Sequence, residues 1–248
     1  MALISTGDDR SMRMLRDRLS RTNRPDHGKQ RWLPLLLMIA VFAISLWQNL
    51  AAVSASPFHP DESRWLNRAH YLKDLLHPTG PAWRDQYLIR GQPPIGSYVT
   101  GLGLLLQGHD LDTNAAWVFE RGDERNIVWN VVKGAMPSQS DLIAARRTSA
   151  VIGALTVVTL FALVSRLSHW AGGLVGALFL TFHPLQIYLA SLGVADALFT
   201  LIVALTTLSL AMLATTPTWP RGLLAGVSSC NRRRSSKACC SASAPARS

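Results

Sequence analysis

Asp61 and Glu62 are adjacent carboxylates that follow directly on an apolar block, in the stretch HPDESRWLNRAHYLKDL. Carboxylates so placed can act as a general base, bind a metal or cap a helix. Capping alone accounts for Asp61, since Pro60 precedes it and a helical spacing begins there. Asp196, in SLGVADALFT, carries more weight because it lies about one turn inside another apolar block. An ionisable side chain within a span costs about 2.5–3.5 kcal/mol on insertion scales and is a functional candidate by default. A place at the interface would lower that cost. Arg146 and Arg147 stand near the start of the apolar block at 142–164. A guanidinium matches phosphate through paired hydrogen bonds, although snorkelling to lipid phosphates is the plainer role for such a pair. His183 precedes Pro184 inside the apolar block at 170–189, where the proline kinks a helix and the histidine serves as a buried polar contact more readily than as a catalyst. Gln92, Pro93 and Pro94 make a rigid turn.

The elements that must position these residues are transmembrane helices. Apolar residues collect in blocks at 33–52, 142–164, 170–189 and 192–214. Each is close to the roughly 20 residues that cross a hydrocarbon core about 30 Å thick. The sequence therefore predicts an all-α membrane protein of about four spans, with a long external loop over 53–141. Within that loop, Trp65, Ala69, Leu72 and Leu76 fall on one face of an amphipathic helix over 61–76. The apolar run 95–106 is too short to cross and fits an interfacial or re-entrant helix. Gly172, Gly173 and Gly176 allow close helix approach in the third span.

The formal charge of +10 invites a nucleic-acid partner, but the positive residues gather at the two ends of the chain. Residues 1–32 hold eight Lys/Arg against four Asp immediately before the first span. This bias holds the N-terminus in the cytoplasm, where the tail can also meet anionic lipid heads. No nucleic-acid partner is expected. The first block is too long, and too far from the N-terminus, for an ordinary signal peptide cleaved near Ala55. The three cysteines, Cys230, Cys239 and Cys240, all lie in the last stretch, so no disulfide framework is expected. Composition changes abruptly near Ser228, and residues 227–248 form a basic Ser/Ala/Cys tail that suggests a frameshifted or truncated end. The organisation is thus a tail over 1–32, a membrane domain over 33–226 and a tail over 227–248. With the N-terminus inside, Asp61, Glu62, Asp196, Arg146 and Arg147 all fall on the external side.

The order of HPDESRWLNRAHYLKDL, QPPIGSYVTGLGLLL, AARRTSAVIGALTVV and HPLQIYLASLGVADALFT resembles the N-terminal half of GT-C glycosyltransferases. The likeness is to the protein-mannosyltransferase, aminoarabinose-transferase and RgtA/B/C/D-like type. It implies a partial GT-C fold in the cell membrane. It also implies inverting transfer of a sugar from a polyprenyl-phosphate donor to an extracytoplasmic protein, lipid or glycan. The same likeness makes Asp61 the base, Glu62 its neighbour in the site and Asp196 a second acidic position. Arg146 or Arg147 would then meet the lipid phosphate. Some relatives bind a divalent metal, but no ligand set for one stands out in this sequence and no cofactor is expected. An inactive fragment of such an enzyme, and a transporter or channel subunit with Asp196 on an ion path, are the competing readings.

Overall fold

The computed structural model describes residues 32–75, 77–84, 94–119 and 125–215. Those residues are helical or irregular, with no strand among them. The chain divides into two compact units, Met1–Ile39 and Ala40–Ser248. In the first unit the described residues are the opening turns of helix α1, Trp32–Val53. The second unit carries all of the interactions below.

Among the described residues, three helices are long and apolar enough to cross a membrane: α1, α7 (Gln139–Leu167) and α10 (Asp196–Thr215). Helix is the form that such sequences take in lipid, because it satisfies every backbone N–H and C=O internally. At about 1.5 Å per residue, the 29 residues of α7 reach about 43 Å, well beyond a core of about 30 Å. One end of α7 therefore stands clear of the hydrocarbon. Ser138 caps that helix by accepting from the Asp141 amide at 3.1 Å, and Arg166 sits in its last turn. Both charges complement the helix dipole.

The third apolar block is not one straight helix. It forms α8 (Trp170–Thr181) and α9 (Pro184–Ser191), bent by 63° at a break between them. The pair is a fourth span if it crosses as a broken helix, and a re-entrant loop if it does not. The expected proline kink is the cause. His183 is extended and Pro184 opens α9, since proline disfavours a helical residue before it and suits the first helical position. A Cβ on Gly173 would come within 2.0 Å of Ser165 Oγ, and one on Gly172 within 2.8 Å of Ser168 Oγ, so α8 packs closely on α7 through those glycines. Gly176 makes only ordinary contact, its nearest atom lying 3.7 Å away. Farther along, Gln186 Nε2 of α9 donates to Gly153 O of α7 at 3.2 Å, and Asn49 Nδ2 of α1 donates to Ala150 O at 3.1 Å.

The segment between α1 and α7 folds as a series of short helices. The expected amphipathic helix appears as α2 (Pro60–Asn67), a 3-10 turn (Arg68–His70) and α3 (Tyr71–Leu75). Trp65 and Ala69 are buried and Leu72 is partly buried, as the spacing predicts, while Leu76 lies outside the described residues. After the short α4 (Pro81–Arg84) comes α5 (Ile95–Leu106), which is apolar but too short to cross. It packs on the 3-10 turn, on α3 and on α7. Gly101 and Gly103 permit this, because Cβ atoms there would lie 2.7 Å from Ala69 O and 2.0 Å from Thr148 Oγ1. Leu66, Ala69, Leu104, Leu111, Leu142, Ala144 and Ala145 close the core between these elements. Helix α6 (Arg125–Val132) is held to the loop before it by Asn130, whose side chain brackets Val118 N and O at 2.9 and 3.1 Å. The basic tail over 1–31, Gln92, Pro93 and residues 216–248 with their cysteines lie outside the described residues.

Candidate active site

The junction of α1, α2, α7 and α10 is built around one buried ion pair. Glu62 is 0% exposed and Arg146 2% exposed. Arg146 Nε donates to Glu62 Oε1 and Nη2 to Oε2, both at 2.7 Å. Arg146 Nη1 also donates to Val53 O and Ser56 O at 2.8 Å, and Nη2 to Pro57 O at 2.9 Å. All five guanidinium N–H groups are thereby engaged. The Val53 carbonyl is one of those that the last turn of a helix leaves without an intrahelical partner, so Arg146 seals the end of α1. Glu62 also accepts from the His59 amide at 2.9 Å and the Gly193 amide at 2.7 Å. An isolated charge this deep would be costly, but paired and fully hydrogen-bonded charges are tolerated.

Of the three carboxylates expected to converge, this arrangement removes Glu62 and leaves two. The cap of α2 is His59, not Asp61. His59 Nδ1 accepts from Asp61 N at 3.3 Å, and Glu62 at the third helical position closes the capping box on the His59 amide. Asp61 is thus relieved of the capping role that would have explained it. Its side chain is about half exposed, 3.6 Å from His59 Nδ1. Asp196 is likewise exposed and is the first residue of α10, not one turn inside it. The helix starts late because Leu192 is extended and the Gly193 amide is given to Glu62 instead of to a helical carbonyl. A carboxylate in a first helical turn is favoured by the dipole, which lowers the cost of keeping it near the membrane.

Asp61 and Asp196 line one cavity of about 220 Å³, together with Arg64, Trp65, Arg68, Val194 and Phe199. Two carboxylates and two guanidinium groups surround an apolar surface of Trp65, Val194 and Phe199. Arg64 is anchored by a hydrogen bond from Nε to Trp117 O at 3.0 Å and lies 4.5 Å over the Phe119 ring. Arg68 is only 4% exposed, with its guanidinium 5.1 Å over Trp65. Burial, and then the Arg64 cation beside it, lower the Arg68 guanidinium below its ordinary value, while Tyr71 and Asp61 act in the opposite direction. Gly96 of α5 lies beneath Trp65, where a Cβ would come within 2.6 Å of the indole.

Sequence reading did not single out Arg64 and Arg68. The signal was present in the spacing, since positions 61, 64 and 68 share one face of a helix. Arg147 is exposed and makes no hydrogen bond among the described residues. His183 has no capping bond to α9 and packs on Phe179, with ring centroids 5.8 Å apart. Among the described residues no group of three His, Cys, Asp or Glu side chains is placed to hold a metal ion.

Residues 137–230, which begin just before α7 and include α8, α9 and α10, match the family model described as dolichyl-phosphate-mannose-protein mannosyltransferase. No curated protein and no solved structure matches the chain. The segment 137–230 is thus similar to a mannosyltransferase family of the GT-C type, and the described helices, with the apolar ones long enough to span, are those of an all-α membrane protein.

Proposed function

We propose that the chain transfers a sugar from a polyprenyl-phosphate donor to an acceptor hydroxyl outside the cytoplasm, with inversion at the anomeric carbon. The observation that carries this reading is the shared cavity of Asp61, Asp196, Arg64 and Arg68. Asp61 takes the proton of the acceptor hydroxyl as its oxygen bonds to the anomeric carbon. The bond from that carbon to the phosphate oxygen breaks on the opposite face, and polyprenyl phosphate leaves as the anion. Arg64 and Arg68 stabilise the charge that gathers on the leaving phosphate, which is where fixed cations accelerate such a step most. Asp196 holds sugar or acceptor hydroxyls across the cavity from Asp61. Arg147, exposed on α7 and without a hydrogen bond among the described residues, meets the lipid phosphate as it approaches. Arg146 has no N–H left for that task. The bilayer is the partner that presents the donor, and the N-terminus is placed in the cytoplasm with the cavity on the outer face of the cell membrane.

The test is transfer of radiolabelled hexose from polyprenyl phosphate by the full chain in membranes. Transfer that disappears in Asp61→Asn, at unchanged membrane insertion, supports the reading. Transfer unaffected by Asp61→Asn overturns it. Ion flux that depends on Asp196 but not on Asp61 would favour a transporter instead.

A further inference from the structure

We infer that Glu62 and Arg146 are positioning residues, the joint that sets Asp196 against Asp61. The inference rests on the sugar-transfer reading only for the chemistry it assigns to the two aspartates; the joint itself is argued from geometry. The pair together gathers four pieces of chain. Glu62 accepts from the His59 amide before α2, from the Gly193 amide before α10, and from Arg146 of α7. Arg146 in turn holds the Val53, Ser56 and Pro57 carbonyls at the end of α1. Asp61 is the neighbour of Glu62 in sequence, and Asp196 lies three residues beyond Gly193. Both walls of the cavity therefore hang from the same two carboxylate oxygens. Oε1 receives both Arg146 Nε and Gly193 N at 2.7 Å, so any shift of Glu62 moves the start of α10 with it. A second tie runs alongside, with the Ser56 and Ser191 hydroxyls 2.6 Å apart.

Several features make this more than general packing. The pairing is bidentate, which fixes orientation as well as distance. The backbone from Leu192 to Ala195 is not helical, so no α-helix ladder ties the start of α10 back to α9. Gly193 has no space to spare, since a Cβ there would lie 3.2 Å from Ala145 Cβ and 3.4 Å from Glu62 Oε1. Neither Glu62 nor Arg146 lines the cavity, so each acts on the reaction through the aspartates alone.

The experiment places cysteines at 61 and 196 in a chain whose natural Cys230, Cys239 and Cys240 are serine, and bridges them in membranes with a short bifunctional thiol reagent. Efficient bridging is expected with Glu62 and Arg146 intact, and a several-fold loss with Glu62→Gln, with Arg146→Lys and with Gly193→Ala. Gly193→Ala keeps both charges and crowds Ala145 Cβ of α7 first, with Glu62 Oε1 next, so it reports on the joint even where a charge variant does not fold. Bridging in the folded fraction that stays equal to the parent in all three variants overturns the inference, because a merely stabilising pair lowers stability without moving the aspartates. In the native-aspartate background, the same variants lower kcat by about 10²-fold, with a smaller effect on KM, as a misplacement of about 1 Å does. Loss of bridging in a chain that shows no sugar transfer leaves the joint standing and removes the transfer reading instead.

Discussion

Arg146 reaches Glu62 across 84 residues of chain and grips it with two hydrogen bonds of 2.7 Å, one to each carboxylate oxygen. Sequence reading made Glu62 the neighbour of the base in the site and left open whether Arg146 or Arg147 meets the lipid phosphate. The geometry gives both to each other and hands the cavity to Asp61, Asp196, Arg64 and Arg68. Removing one member of so buried a pair strands the other charge, at a cost of about 3–5 kcal/mol. Glu62→Ala and Arg146→Ala should each lower thermal stability in detergent by that order. The double variant Glu62→Leu/Arg146→Met should be less damaging than either, since no charge is stranded. A double variant as damaging as the worse single, or more so, would contradict this account of the pair.

Asp61 behaves differently because it is not the cap of α2. Asp61→Asn should leave membrane insertion and thermal stability within about 0.5 kcal/mol of the parent, as surface substitutions do. Transfer should fall by about 10²–10⁴, the contribution of a positioned general base. An Asp61→Asn chain that unfolds would instead give the Asp61 carboxylate a structural part to play.

Arg64 and Arg68 share the cavity but differ in surroundings. Arg68 is held in a buried position against Trp65, and lysine cannot reproduce a planar stacked fork. Arg68→Lys should therefore raise KM for the polyprenyl-phosphate donor and slow turnover. Arg147→Gln, on an exposed side chain, should weaken donor capture with little effect on turnover. Steady-state kinetics over donor concentration separate the two, and equal effects from both variants would count against the assignment.

Packing of the broken third block can be tested through its glycines. Gly173→Ala forces a Cβ against Ser165 Oγ and the Phe161 carbonyl, at 2.0 and 2.7 Å, and should cost about 1–3 kcal/mol. Gly176→Ala, whose nearest neighbour is 3.7 Å away, should be nearly neutral. Equal stabilities, read by thermal unfolding in detergent, would show that α8 does not lie on α7 in this way.

The spans, the short α5 and the amphipathic run after α1 were legible because apolar periodicity and block length report directly on burial in lipid. The proline kink was legible for the same reason, though not its depth, since Pro184 turns a bend into a 63° break. Counting crossings led to the expectation of one outward cavity for Asp61, Glu62 and Asp196; Asp61 and Asp196 line one cavity, and Glu62 does not. What sequence alone did not resolve is which member of each adjacent pair points where. A helix turns by about 100° per residue, so Asp61 and Glu62 face different surroundings, as do Arg146 and Arg147. The late start of α10 was hidden as well, because the Gly193 amide is diverted by a carboxylate 131 residues away. Arg64 and Arg68 were passed over because an arginine on an amphipathic helix is ordinarily a solvated face, and here its neighbours close over it.

The account depends most on Asp61 and Asp196 facing the same aqueous space. The most direct measurement is labelling of single cysteines at 61 and 196 in intact cells by a membrane-impermeant maleimide, with Cys230, Cys239 and Cys240 replaced by serine. Both sites should label from outside, and donor lipid should protect both. Labelling of one from outside and of the other only after permeabilisation would place the two aspartates on opposite leaflets and contradict a common site for transfer.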